Sequence, residues 1–258
     1  MSVSPIRMLS WGARALYLGP GFELKSHRTV VGAACICLDG EMEVFAGETL
    51  SRGSGLVCRS VYIPPDTRHR IDFNASRIAC LYVDRESDDP VRLEGAMRAA
   101  AHGLFVEHAN EAAVTATLLD FAEGRIERER RRAEIAAAFG LPDPCGGTGD
   151  PRISAAIRTI VASPGLPHRA ATLAAEAGLS ASRFRRAFRE ATGVPLRRFR
   201  VWARVGGAMA SVRAGANLTQ AAHDAGFSSS AHFSSAYRAM FGMTPSAFVA
   251  AAGLSERR

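Results

Sequence analysis

Apolar positions change their period along the chain. Up to about Val83 they fall in short runs, Val30 to Leu38, Glu41 to Phe45, Val61 to Ile63, Arg70 to Phe73 and Arg77 to Val83. Turn formers separate them: Asp39-Gly40, Arg52-Gly-Ser-Gly55, Pro64-Pro-Asp66 and Asn74-Ala-Ser76. Runs this short and this often interrupted predict a small antiparallel barrel or sandwich. After Asp88-Asp-Pro90 the period lengthens. Between Glu111 and Phe139, Val114, Leu118, Phe121 and Ile126 recur at helical intervals, with Gly124 as a weak point. The eleven residues from Leu141 to Pro151 hold three prolines and three glycines, which cannot continue a helix and predict a linker. From Arg152 to Arg258 the pattern is helical throughout. The chain therefore reads as α+β: a β-rich segment 1–90, a helical segment 91–140, a linker 141–151 and an all-α domain 152–258.

The helical C-terminal segment repeats itself. Gly178, Phe184, Phe188 and Gly193 recur as Gly226, Phe233, Tyr237 and Gly242, at offsets of 48, 49, 49 and 49 residues. Ala174 and Ala222 precede the first glycine of each copy by four, and Pro195 and Pro245 follow the last. Two copies of one helical unit are predicted. In the first, a helix ends at Gly178 and Ser180 caps the next. Leu173, Ala177, Leu179, Phe184 and Phe188 form the seam, and small Ala174 admits the steep crossing of a helix-turn-helix. In the second, Asn217 with Gln220 predicts a capping box, and three serines follow Gly226-Phe227. Leu196 to about Ala214 predicts one connecting helix with Val201, Trp202, Val205, Met209 and Val212 on its buried face. Its roughly 28 Å compares with the ~34 Å between successive major grooves of B-DNA.

Charge sharpens that picture. The formal net charge is +7, but residues 1–151 hold one Lys and 16 Arg against 21 acidic residues. Residues 152–258 hold 15 Arg against only Glu176, Glu190, Asp224 and Glu256. An excess so concentrated attracts polyanions. The outward positions of the second helix in copy one are Ser182, Arg183, Arg185, Arg186 and Arg189, groups suited to phosphates and to the O6/N7 edge of guanine. The corresponding face of copy two, Ser230, Ala231, Ser234, Ser235 and Arg238, is far less basic, and it is expected to supply phosphate contacts and shape more than base reading. His223 and His232 fall in the same copy, where packing or a phosphate contact is expected. The alternative for the arginines is a solvated surface.

Two such units joined by a long helix, the second reading Gly226-Phe-Ser-Ser, His232-Phe-Ser, Tyr237, Phe241-Gly and Thr244-Pro245, resemble the AraC/XylS family of bacterial transcription regulators over about Ile153 to Val249. The resemblance implies base contacts at Ser182, Arg185 and Arg186, and at Ser230, Ala231 and Ser235. The family commonly has Gln at the position of Ser230 and Arg at that of Ser235. The resemblance further implies double-stranded DNA as partner, a homodimer, RNA polymerase as a contact where the output is activation, and an N-terminal cupin-like barrel that senses a small effector or dimerises, followed by dimerisation helices.

The front segment carries traces of that barrel. Pro64-Pro-Asp-Thr-Arg-His69 resembles half of the second cupin motif, with Asp66 replacing the turn Gly. Gly21 with His27 resembles the start of the first, with Thr29 where the second His would stand. A catalytic metal wants three protein ligands, which His27 and His69 do not supply, so no metal or cofactor is expected, although Cys35 and Cys37 share a strand face. His27, Tyr62, Arg68, His69 and Tyr82 are the candidates to line an effector pocket.

Composition removes other classes. At 47% hydrophobic the chain is too apolar for disorder, and five cysteines are too few for a disulfide scaffold; their odd number fits a reducing cytoplasm. No run approaches the roughly 20 apolar residues of a membrane span, and Met1 to Pro20, with Arg7 and Arg14, predicts no signal peptide. The reading is a cytoplasmic, non-enzymatic, sequence-specific transcription regulator working by population shift. The rivals are a metal-dependent cupin enzyme with a DNA-binding tail, and a regulator without effector.

Overall fold

The computed structural model describes residues 6–21, 24–47, 55–85, 87–142, 150–192 and 194–251. The chain forms two compact units, one of Met1–Asp143 with Met240–Gly242, the other of Pro144–Ala239 with Met243–Arg258. Most of the expected linker, and the Arg52-Gly-Ser part of one expected turn, lie outside the described residues.

The first unit contains β1 (Arg7–Trp11), β2 (Arg14–Gly19), β3 (Val31–Cys37), β4 (Gly40–Ala46), β5 (Leu56–Cys58), β6 (Ser60–Ile63), β7 (His69–Ala75), β8 (Ile78–Asp84), β9 (Arg98–Ala99) and β10 (Phe105–Val106), with helices α1 (Asp89–Gly95), α2 (Glu111–Glu123) and α3 (Arg131–Ala138). The strands make two sheets rather than one closed barrel among the described residues. One has seven strands in the order β1-β2-β8-β3-β6-β10-β9, the other three in the order β5-β4-β7, and every pairing is antiparallel.

Strands β3 and β8 are buried along their whole length, because each face of the seven-stranded sheet is covered. One face packs on the helices: Leu16, Leu18, Ala34, Ile36, Tyr62, Leu81 and Val83 meet Leu93, Val114, Leu118, Phe121, Ile135 and Phe139 in a single core. The alternate residues of the same strands point the other way, which separates Tyr62 from Tyr82.

Three departures from the sequence reading have physical causes. The span Glu111 to Phe139 is two helices, because Gly124 takes a left-handed conformation after α2 and the chain turns before α3. Segment 91–140 also contains β9 and β10, the second of which pairs with β6 and extends the sheet. Asp66 adopts φ +63°, the conformation for which a cupin turn uses Gly. It is held by a hydrogen bond from its N–H to the Thr29 carbonyl at 2.8 Å and by an ion pair with Arg85 at 2.7 Å.

The second unit is all helix among its described residues: α4 (Pro151–Ala162), α5 (Ala170–Glu176), α6 (Ala181–Thr192), α7 (Leu196–Arg213), α8 (Leu218–Asp224), α9 (Ser230–Phe241) and α10 (Pro245–Ala251). Ile153, Ile160, Leu173, Phe184, Phe188, Phe199, Trp202, Val205, Phe233 and Phe248 are buried within it. Val201, expected on the buried face of α7, is 37% exposed, because a helix turns about 100° per residue and Trp202 already points inward.

Candidate functional site

Helices α5 and α6 form the first helix-turn-helix. Gly178 takes φ +63° after α5, and its N–H and that of Leu179 return to the carbonyls of Ala175 and Ala174. Ser180 Oγ accepts the Arg183 N–H at 3.4 Å, capping α6 as its position predicts. Phe184 and Phe188 are fully buried, and Phe188 meets Phe199 of α7 edge-on with ring centroids 5.3 Å apart. A helix anchored by two phenylalanines four apart must turn its other face outward. Ser182, Arg183, Arg185, Arg186 and Arg189 are all exposed. Arg186 Nε donates to Glu190 at 2.9 Å one turn on, a contact that raises its pKa, while Arg185 joins no ion pair among the described residues.

Helices α8 and α9 form the second copy. Asn217 Oδ1 accepts the Gln220 N–H at 2.9 Å, but the Gln220 amide donates to Asp224 rather than back to residue 217, so half of the expected capping box is made. Ser229 Oγ accepts the His232 N–H at 3.1 Å and starts α9. Phe227, Phe233, Tyr237 and Phe248 stack in sequence behind it. Ala231, His232, Ser235 and Arg238 are exposed, and Ser230 and Ser234 are half-buried. His232 sits edge-on to Phe227, its Nδ1 3.0 Å from Ser228 Oγ, and His223 is exposed. The second turn packs against glycine: Gly226 lies so close to Gly165, in the α4–α5 connection, that a Cβ on it would stand 2.7 Å from the Gly165 carbonyl oxygen.

A family model described as a helix-turn-helix domain matches residues 173–251. Those residues are an AraC-type helix-turn-helix domain. The helix-turn-helix domain makes this chain a DNA-binding transcription regulator. Among solved structures the chain is similar to ToxT from Vibrio cholerae O395, at 12% identity over 92% of this chain and 96% of that one, with a TM-score of 0.49. It is similar to the DNA-binding domain of the global transcriptional factor AdpA in complex with a target DNA, at 25% identity over 39% and 91%, TM-score 0.37. It is also similar to a cupin family protein from Methanocaldococcus jannaschii, at 13% identity over 32% and 83%, TM-score 0.25. No curated protein matches.

Between the two sheets of the first unit lies a small cavity of about 30 Å³, lined by Leu24, His27, Thr29, Ala33, Cys35, His69, Ile71, Phe73, Cys80 and Tyr82. Of the five expected pocket residues, the structure brings together His27, His69 and Tyr82. Tyr62 points into the helix-side core, because it pairs with Ala34 rather than with the opposite parity of β3. Arg68 is exposed and donates to Ser26. Cys80 was legible only through register: it stands directly across from Cys35, and its thiol donates to Cys35 Sγ at 2.9 Å, whereas Cys37 does not line the cavity.

No carboxylate, lysine or arginine lines the cavity, and its two imidazoles are held towards the neutral form. The rings of His27 and His69 lie 4.4 Å apart, and their Nδ1 atoms stand 2.9 Å from the carbonyls of Lys25 and Thr67. A carbonyl only accepts, so each ring carries its proton on Nδ1. Burial, joined by the neighbouring His27, lowers the His69 pKa to about 4, and burial lowers that of His27 as well. The neighbouring Cys80 thiol and burial together raise the Cys35 pKa. Among the described residues no group of three His, Cys, Asp or Glu is placed to hold a metal ion, and no helix is long and apolar enough to cross a membrane.

Proposed function

We propose that this chain is a sequence-specific regulator that sets α6 and α9 into successive major grooves of double-stranded DNA, under the control of a small uncharged molecule held in the first unit. One observation carries the DNA half: a solvent-facing row of Ser182, Arg183, Arg185, Arg186 and Arg189 on a helix whose opposite face is locked by Phe184 and Phe188. Arg185, free of any acid among the described residues, reads a guanine edge; Arg186 exchanges Glu190 for DNA; Arg183 and Arg189 hold phosphates. Ser230, Ala231, His232, Ser235 and Arg238 of α9 supply phosphate contacts and shape. The 18 residues of α7 span about 27 Å, which suits two readers serving neighbouring grooves ~34 Å apart.

The neutral lining of the cavity supports an uncharged effector, since a carboxylate or ammonium there would be buried without a partner. Binding acts by population shift, and no catalytic step is assigned to the chain. Homodimerisation through the helices of the first unit, a contact with RNA polymerase where the output is activation, and a cytoplasmic site of action belong to the same reading.

Selection of bound duplexes from a random pool tests it. The wild type should enrich a motif with two elements about one helical turn apart, and Arg185→Ala should lose preference at one base pair, a cost of about 1–3 kcal/mol. Enrichment of the same motif by the variant would remove Arg185 from the reading face, and no enrichment by the wild type would remove the function.

A further inference from the structure

The connecting helix carries two arginines that nothing among the described residues of the second unit neutralises. Arg200 and Arg204 stand one turn apart on α7, both half-buried. The Nε of each is buried and has no hydrogen-bond partner among the described residues, and neither guanidinium joins an ion pair there. Burial lowers the Arg200 pKa below the usual arginine value, and the neighbouring Arg204 lowers it further. Like charges at this spacing repel, and a charge withdrawn from water without a partner is costly. A native structure that retains two such groups side by side calls for a reason.

The acids of residues 152–258 do not provide the missing counter-charge. Glu190 is held by Arg186, Asp224 accepts from Gln220, Glu176 is exposed on α5, and Glu256 lies outside the described residues. The position of the pair narrows the choice of anion. Arg200 follows Phe199, whose ring packs on Phe188 at the root of the first reader, and Arg204 lies one turn further towards the second.

We propose that Arg200 and Arg204 form a phosphate-binding site on the connecting helix, which grips the sugar–phosphate backbone of duplex DNA between the two reading helices. The inference rests on the DNA-reading roles of α6 and α9 given above. Arg200 and Arg204 are positioning residues: they add affinity independent of sequence, fix the register of the readers and are relieved of mutual repulsion when a phosphate lies between them.

The test uses the full chain with both residues changed, Arg200→Met and Arg204→Met, which keeps the apolar stems and removes the charges. Dissociation constants for an operator duplex and for an unrelated duplex should rise by the same factor, about tenfold or more. The slope of log K against log salt should flatten by about 0.9 for each phosphate that the variant no longer neutralises. The melting midpoint should stay level or rise, because a repulsion is gone. A lowered midpoint with an unchanged salt slope would make the arginines purely structural and overturn the proposal, as would an unchanged slope at an unchanged midpoint. Should the double variant fail to fold, the single variants Arg200→Lys and Arg204→Lys decide. They keep the charge, so the proposal requires a preserved slope with weaker binding, and unchanged binding overturns it. An Arg185→Ala variant run alongside separates the two claims. If it loses base preference while the methionine variant keeps its salt slope, only the phosphate site fails; if the wild type binds no duplex, both fail.

Discussion

The guanidinium of Arg14 shows how much one buried ion pair can carry in the first unit. Its Nε and Nη2 donate to the two carboxylate oxygens of Asp89, each at 2.6 Å, and its Nη1 donates to the Pro142 carbonyl at 2.7 Å. Arg14 and Asp89 are 3% and 5% exposed, so neither charge finds water if the other is removed. Asp89→Asn should therefore lower the unfolding free energy of the first unit by about 3–5 kcal/mol, and Arg14→Met added to it should restore part of that stability. Urea midpoints of the two variants check both directions. His69 contributes to the acid sensitivity of the unit. Its folded pKa of about 4 lies below the ordinary value of 6.5, so the unfolded chain takes up a proton first as pH falls. Stability is constant with respect to this group above pH 6.5, falls between 6.5 and about 4, and is fully reduced below, by ~3 kcal/mol. The pH dependence of the urea midpoint should lose that share of its slope in His69→Asn. An unchanged slope would mean that the ring is not held neutral.

At the scale of elements, the two helix-turn-helix copies use the same glycine for different reasons. Gly178 and Gly226 both have positive φ, +63° and +80°. A Cβ on Gly178 would meet nothing within 4 Å, while one on Gly226 would stand 2.7–3.1 Å from the backbone of Gly165. Gly178→Ala should cost about 1–2 kcal/mol, from the backbone conformation alone. Gly226→Ala should cost clearly more, since the α4–α5 connection would have to retreat from the second turn. Thermal unfolding of the two variants ranks them; equal shifts would mean that the packing of the second turn on Gly165 is slack. The repeat of Gly, Phe and aromatic spacing made α5 to α9 legible, because each of those helices is amphipathic and ends at a marked turn. Less could be seen at the front. Strand β2 is buried on both faces, so Arg14 to Gly19 lacks the alternation that marks a strand, and β1 is half-exposed along most of its length. Two-residue strands such as β9 and β10 have no pattern to read. Pocket membership needed register as well as strand identity. Tyr62 and Tyr82 look alike in sequence, and only their pairing with β3 sends one to the helices and the other to the cavity.

For the whole molecule, the division of labour follows charge. The arginine-rich second unit meets a polyanion, while the cavity of the first is lined by neutral imidazoles, thiols and apolar side chains. A cavity of that character selects against ions. In a screen, small uncharged molecules that enter it should raise the melting midpoint, with about 2.7 kcal/mol of added stability at 100 times the dissociation constant, while their carboxylate analogues should not. Stabilisation alone does not make such a molecule an effector. If its binding changes operator affinity by some factor, operator binding must change its affinity by the same factor, because the two equilibria close a thermodynamic cycle. Couplings of this kind run from about 5- to 150-fold. The measurement is a titration of the molecule into the full chain with and without saturating operator duplex. A shifted dissociation constant, matched by the reciprocal shift for DNA, establishes the first unit as the control element of the second. A molecule that stabilises the chain yet binds equally well in both titrations is only a resident of the cavity, and regulation through it is then excluded for that molecule.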